Sequence, residues 1–235
     1  MSLLFIAVLF IIPFLIDFFG KLFLAVGAQQ AATFFQQNLW LSGVLGYLPI
    51  YLLLLFYLKT TFEPLSYFGY FWKKDYVWLS VYLGIGSGVV IYWIDWTQGI
   101  ANLGIQQFSI AALLGYLVSL VILPSLTEET LFRGVVQNFY QRRFTKTFTK
   151  HKVHIAVFLG SAAELLFHLS VPIYTGITQG GVLVAVIKTL PQLVYVFVFG
   201  FIGGVLFQRT KSLVPAIIIH ALGNLVELIL IWSIH

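Results

Sequence analysis

Thr127–Glu128–Glu129–Thr130–Leu131–Phe132–Arg133–Gly134 sets two adjacent carboxylates and an arginine into a chain that is otherwise almost uniformly apolar. On a helix Glu129 and Arg133 stand at i, i+4 and can pair across one turn. Glu128 points about 100° away from Glu129, which leaves the two acids free to serve different partners. Ionisable groups are expensive in hydrocarbon, so such a stretch is read first as a functional site. The plainer alternative is a structural Glu–Arg pair that locks two helices together.

The surroundings make the setting a membrane. Hydrophobic residues form 60% of the 235 residues, charged residues only 9%, and the mean hydropathy is +0.97. These values lie well outside the range of soluble domains. The chain reads as an all-α polytopic membrane protein, one membrane domain over residues 1–235. At ~20 residues per span it holds about seven transmembrane helices, or eight if the 176–188 segment also crosses, around a polar cavity near mid-membrane. The net charge of +5 is not a nucleic-acid footprint, because the basic residues sit in short loops between spans. There they set orientation and meet anionic lipid headgroups. With no cysteine, disulfides, thiolate zinc sites and thiol nucleophiles are excluded for this chain.

Apolar runs cover residues 3–26, 40–58, 76–96, 109 into the Glu–Glu motif, 153–169, 190–207 and 213–234. The first carries Asp17 and Lys21 at i, i+4 and reads as a retained helix, since no basic residue precedes it as a signal peptide would require. Pro124 is expected to kink or restart the fourth helix, and Pro172 to close the fifth. The aromatic-rich loop at 62–72 suits an interfacial position. Of the 13 Lys and Arg residues, 10 lie in three loops, at 59–75, 141–152 and 209–211. Seven spans put those loops on one side, and the positive-inside rule makes that side, with the N-terminus, cytoplasmic. A bacterial cytoplasmic membrane is the expected location.

Further polar positions fall inside the spans. Glu164 and His168 are i, i+4 on the fifth, and His220 and Asn224 are i, i+4 on the seventh, with Glu227 near the same face. Counting 1.5 Å per residue from the basic loops places Glu128 and His168 about 20 Å deep and His220 about 12 Å. Carboxylates, histidines and an asparagine in one cavity are the parts needed to hydrolyse an amide. A glutamate or histidine can take a proton from water, and an asparagine can donate to the oxyanion. Ser161 and Ser170 lack a nucleophile-elbow pattern, so a serine hydrolase is not indicated.

Glu128–Glu129–Thr–Leu–Phe–Arg133 resembles the EExxxR signature of the CPBP intramembrane proteases. That group includes type II CAAX prenyl endopeptidases and bacterial homologues tied to bacteriocin processing and self-immunity. The block from Phe199 to His220–Ala–Leu–Gly–Asn224 resembles the family's closing HxxxN segment, and His168 falls at its FxxxH histidine. The resemblance covers about residues 113–225. It implies an intramembrane endopeptidase, a CAAX-protease-like hydrolase acting on a small membrane-associated, lipidated or leader-type peptide. Glu128 would activate water, with Glu129 beside it and Arg133 holding the motif's helix. His168 and His220 would polarise water or pass a proton, and Asn224 would help form the oxyanion hole. Where the family has phenylalanine, Glu164 stands, and a carboxylate one turn from His168 could orient its imidazole. The resemblance also raises a divalent metal, zinc, held by Glu129, His168 and His220, although no HExxH pattern is present. Two other readings compete. One is a non-catalytic immunity or peptide-binding protein, to which the Glu164 departure points. The other is a proton-coupled transporter, against which stands the lack of an internal repeat.

Overall fold

The computed structural model describes residues 38–61, 63–98, 109–148 and 153–233. The expected first span with Asp17 and Lys21 lies outside them. Among the described residues six helices are long and apolar enough to cross a membrane. They are α1 (Leu39–Thr60), α2 (Val77–Thr97), α3 (Ile110–Arg143), α4 (Ile155–Gln179), α5 (Val182–Thr210) and α6 (Val214–Trp232). Each coincides with one of the six apolar runs that fall on these residues. The protein is therefore an all-α, multi-pass membrane protein in a lipid environment.

Two helix ends differ from expectation. Pro172 does not close α4, which continues to Gln179. Inside a membrane bundle an interior proline is tolerated because neighbouring groups satisfy the backbone it frees, and α1 and α5 likewise run through Pro49 and Pro191. The real stop is Gly180–Gly181, at φ of 73° and 122°, a left-handed turn that glycine adopts without strain. The 176–188 segment is thus the tight hairpin between α4 and α5 and adds no crossing.

Pro124 also does not restart α3. The helix runs through it, wound as π-helix over Leu117–Ile122 and again over Thr130–Gln137. Wide π turns absorb residues that the ordinary ladder cannot bond, and they recur at functional sites. Every residue from 127 to 137 is buried. That follows from topology, since α3 is packed by α1, α4 and α6, while α5 lies along α4 and α2 along α6. By contrast α2 turns Trp78, Tyr82, Trp93 and Trp96 outward. These form two aromatic rims about 20 Å apart along the helix axis, as suits two membrane interfaces.

The three basic loops meet at one end, as the seven-span reading expects. Ser212 Oγ donates to the Phe71 carbonyl at 2.7 Å and Leu213 N to that of Gly69 at 3.0 Å. Asn138 Nδ2 donates to the Tyr67 carbonyl at 2.9 Å, and the Arg142 guanidinium lies 3.6 Å over the Tyr67 ring. Lys211 Nζ donates to Gln141 Oε1 at 2.7 Å. Burial, with Arg142 nearby, holds the Lys211 ammonium below its ordinary pKa. A two-residue antiparallel ladder, β1 (Thr147–Phe148) with β2 (Val153–His154), closes the loop between α3 and α4.

Candidate active site

The α-wound turn Leu123–Glu129 of α3 carries Glu128 and Glu129 into the bundle's centre, the π-wound turn after it carries Arg133, and three other helices meet them there. The roughly 100° between neighbouring helical residues has the expected result, because the two glutamates take different hydrogen-bond partners, with His220 standing between them. Glu128 Oε1 accepts a hydrogen bond from the Tyr47 hydroxyl of α1 at 2.8 Å. Its Oε2 faces His168 Nε2 of α4 at 3.2 Å and His220 Nε2 of α6 at 3.9 Å. Glu129 Oε1 lies 3.2 Å from His220 Nδ1, and its Oε2 lies 3.1 Å from Arg133 Nε, an ion pair without the in-line geometry of a hydrogen bond.

Arg133 is wholly enclosed, and its second carboxylate is Glu164, with Nη2 to Oε2 at 2.5 Å. This corrects the expectation for Glu164, which reaches across to α3 and hydrogen-bonds Arg133 instead of the His168 ring one turn away. The unusual acid on α4 therefore belongs to a chain running His220–Glu129–Arg133–Glu164. An arginine fork suits such a bridge because its planar donors can engage carboxylates on two sides. The glycines of α5 make room for it. A Cβ at Gly200 would collide with the Glu164 carboxylate and come within 3.1 Å of Arg133 Nη2. One at Gly204 would come within 2.9 Å of both Gln137 Oε1 and Val157 Cγ1.

Asn224 sits one turn beyond His220, and its Nδ2 donates to the Leu120 carbonyl at 2.7 Å. Pro124 has no N–H to give that carbonyl its usual i→i−4 bond, so the asparagine meets an acceptor that the proline leaves free. The bond also fixes the amide's orientation, since a carbonyl can only accept. One Nδ2 hydrogen is used in this way and the second remains.

A cavity of about 360 Å³ opens beside these groups, lined by Glu129, Glu164, His168, His220 and Asn224. Glu128 is only 2% exposed and stands behind the histidines that line it. The same cavity reaches a second polar group made by Asp95 of α2, Gln192 of α5 and Glu227 of α6. There Gln192 Nε2 donates to Asp95 Oδ1 at 2.5 Å, and the Glu227 carboxyl lies beside that of Asp95. Sequence reasoning noted Glu227 but missed Asp95, although it is the single acid in the 76–96 run. It also missed Tyr47 and Gln192, which no local motif marks.

The donor set for a cation differs from the expected Glu129, His168 and His220. Glu128, Glu164 and His220 offer ligand atoms within 4.8 Å of one another. Glu164 Oε2 is already committed to Arg133, whose buried positive charge would face a dication at short range. These residues fit a guanidinium better than a resident metal ion.

The family described as type II CAAX prenyl endopeptidase Rce1-like matches residues 109–226. No curated protein and no solved structure matches the chain. The matched residues hold all seven expected site positions, and Tyr47 and Asp95 lie outside them.

Proposed function

Because the chain belongs to the type II CAAX prenyl endopeptidase Rce1-like family, whose members are intramembrane proteases, we propose that it hydrolyses one peptide bond in a small membrane-associated peptide, lipidated or leader-type, with water activated by Glu128 and His168. The observation that carries this reading is the close approach of Glu128 Oε2 to two imidazoles at 3.2 and 3.9 Å, at the wall of a cavity in the bundle's centre.

The steps follow from which atoms are committed. His168 is the half of the pair that meets water in the cavity, and Glu128 behind it fixes the ring and balances the charge it gains. The proton taken from water passes to the Glu128–His168 pair while the hydroxide oxygen bonds to the scissile carbonyl carbon. The resulting oxyanion needs donors already in place. His220, held through Nδ1 by Glu129, supplies Nε2–H when both its nitrogens are protonated, and Asn224 supplies its second amide hydrogen. Collapse breaks the C–N bond, and the stored proton leaves with the amine. Arg133 touches no reacting atom in this scheme. It holds Glu129 and Glu164 in register.

We place the face with the basic loops in the cytoplasm of a bacterium, following the positive-inside rule. The substrate reaches the cavity from the bilayer. The test is co-expression with candidate peptides, scored by mass spectrometry, for the wild type, Glu128→Gln and His220→Ala at matched protein levels. Processing by the wild type alone supports the reading, whereas equal processing by all three sinks it. Since no step runs through a metal, hydrolysis by the purified protein is expected to survive EDTA and 1,10-phenanthroline. Loss of activity that zinc restores would instead mark a metalloprotease.

A further inference from the structure

The base at the centre of the site has two oxygens, and only one of them faces the cavity side. Glu128 Oε2 meets the two imidazoles, while Oε1 turns the other way and accepts from the Tyr47 hydroxyl at 2.8 Å. We propose that Tyr47, on a helix outside the family-matched residues, is a positioning residue for the hydrolysis set out above, fixing the rotation of the Glu128 carboxylate so that Oε2 stays against His168.

Three observations support the assignment. First, a carboxylate turns freely about its last bond unless each oxygen is held, and here Tyr47 holds one and the histidines the other. Second, α1 is a firm base for the donor. Ile50, Leu54 and Leu58 on its inner face belong to one buried cluster with Leu131, Val135 and Phe167. Third, a neighbouring tyrosine supplies a built-in contrast. Tyr51, one turn further along α1, reaches Tyr70 at 3.4 Å, and Tyr70 shares a 2.5 Å hydrogen bond with Thr130. These two tyrosines of α1 thus reach hydroxyl or carboxyl groups near α3, but only Tyr47 contacts the proposed base. A tyrosine that merely packs would make the two positions equivalent.

The experiment uses the full-length protein in detergent or nanodiscs with a peptide that the wild type cleaves. Tyr47→Phe keeps the ring and removes the donor. Its kcat is expected to fall about ten- to a hundredfold, the range for losing a hydrogen bond to a charged group, with KM within about twofold. Tyr51→Phe is expected to stay within about threefold of wild type. In a Glu128→Asp background, where the shorter acid cannot reach the hydroxyl, adding Tyr47→Phe is expected to cost nothing further. Infrared difference spectra with isotope-labelled glutamate, taking Glu128→Gln as reference, are expected to show the Glu128 carboxylate band moving in Tyr47→Phe. An unchanged kcat, an equal loss in Tyr51→Phe, a full loss in the Glu128→Asp background or a static band each overturns the role. A wild type that cleaves no peptide overturns the hydrolase reading and this role with it. A wild type that cleaves, matched by an equally fast Tyr47→Phe, overturns this role alone.

Discussion

Two acidic groups share one cavity, and they are balanced in opposite ways. At the α3–α4–α6 junction Glu128, Glu129 and Glu164 are met by a buried arginine and two histidines. Toward the far ends of α2 and α6, Asp95 and Glu227 are met by each other and by the neutral amide of Gln192. The first group places charge against charge and leaves imidazoles facing the cavity, an arrangement that can take up and release a proton. The second has no cation among its described contacts and closes its hydrogen bonds locally. Chemistry is expected at the first and packing or substrate contact at the second.

The sharpest way to break that comparison is to neutralise one acid in each group. Glu128→Gln keeps the side chain's size and its bond from Tyr47, yet removes the charge behind His168. Peptide cleavage is expected to fall about a thousandfold or more, the range seen when the carboxylate behind a catalytic histidine is neutralised, with thermal stability in detergent nearly unchanged. If turnover survives within tenfold, the first group is structural too and the contrast collapses.

Arg133 tests stability instead of turnover. Replacing it with leucine leaves Glu129 and Glu164 buried without their cation. Breaking a buried pair by removing one partner costs about 3–5 kcal/mol, so Arg133→Leu is expected to unfold at markedly lower temperature or denaturant concentration. The double change Arg133→Leu with Glu164→Leu is expected to recover part of the loss, since removing both partners leaves less uncompensated charge. Measured unfolding curves of the three proteins decide this. A double variant less stable than the single one would show that Glu164 has another partner.

Gly200→Ala sets the size of a steric effect on the same group. Its new methyl meets the Glu164 carboxylate and Arg133 Nη2. Crowding of this kind costs about 1–3 kcal/mol, and activity is expected to fall with stability, whereas Gly86→Ala, where a Cβ meets nothing within 4 Å, is expected to be neutral. Equal behaviour of the two alanines would remove the glycine face of α5 from the account.

What could be read from sequence, and what could not, follows the same divide. Spans were legible because hydrocarbon demands runs of apolar residues, and all six described helices lie where those runs are. Helix ends were less so, because proline is a stop in water and not inside a bundle. Pro172 was read as an end, while Gly180–Gly181, two residues whose positive φ makes the turn, carried the real signal. Positions spaced at i, i+4 on one helix, such as Glu164 and His168, were legible as candidates, but their partners were not. Glu164 bonds Arg133 because α4 packs on α3, a fact of tertiary geometry that local spacing cannot encode. Tyr47 was invisible for the same reason, as a tyrosine in an apolar helix looks like ordinary interface chemistry until the packing shows what it touches. Asp95 was visible and passed over, since one acid in a span of 21 residues had no partner nearby in sequence.

The smallest expected effect belongs to Asp95. Asp95→Asn keeps an oxygen to accept from Gln192 Nε2 and gains an amide that can donate to Glu227, so every hydrogen bond of the group can still be made. Stability is expected to change by less than about 1 kcal/mol and turnover of an uncharged peptide by less than threefold, since paired polar groups replaced in kind cost little. Asp95→Leu is the contrast, because it strands Gln192 and Glu227 together and is expected to cost about 1–3 kcal/mol for the polar groups left unmet. Kinetics and unfolding on the same preparations separate the outcomes. If Asp95→Asn lowers kcat as Glu128→Gln does while the fold stays intact, the charge at the far end of the cavity takes part in the reaction. The two acidic groups would then be one site about 10 Å long, the rise from His220 to Glu227 along α6.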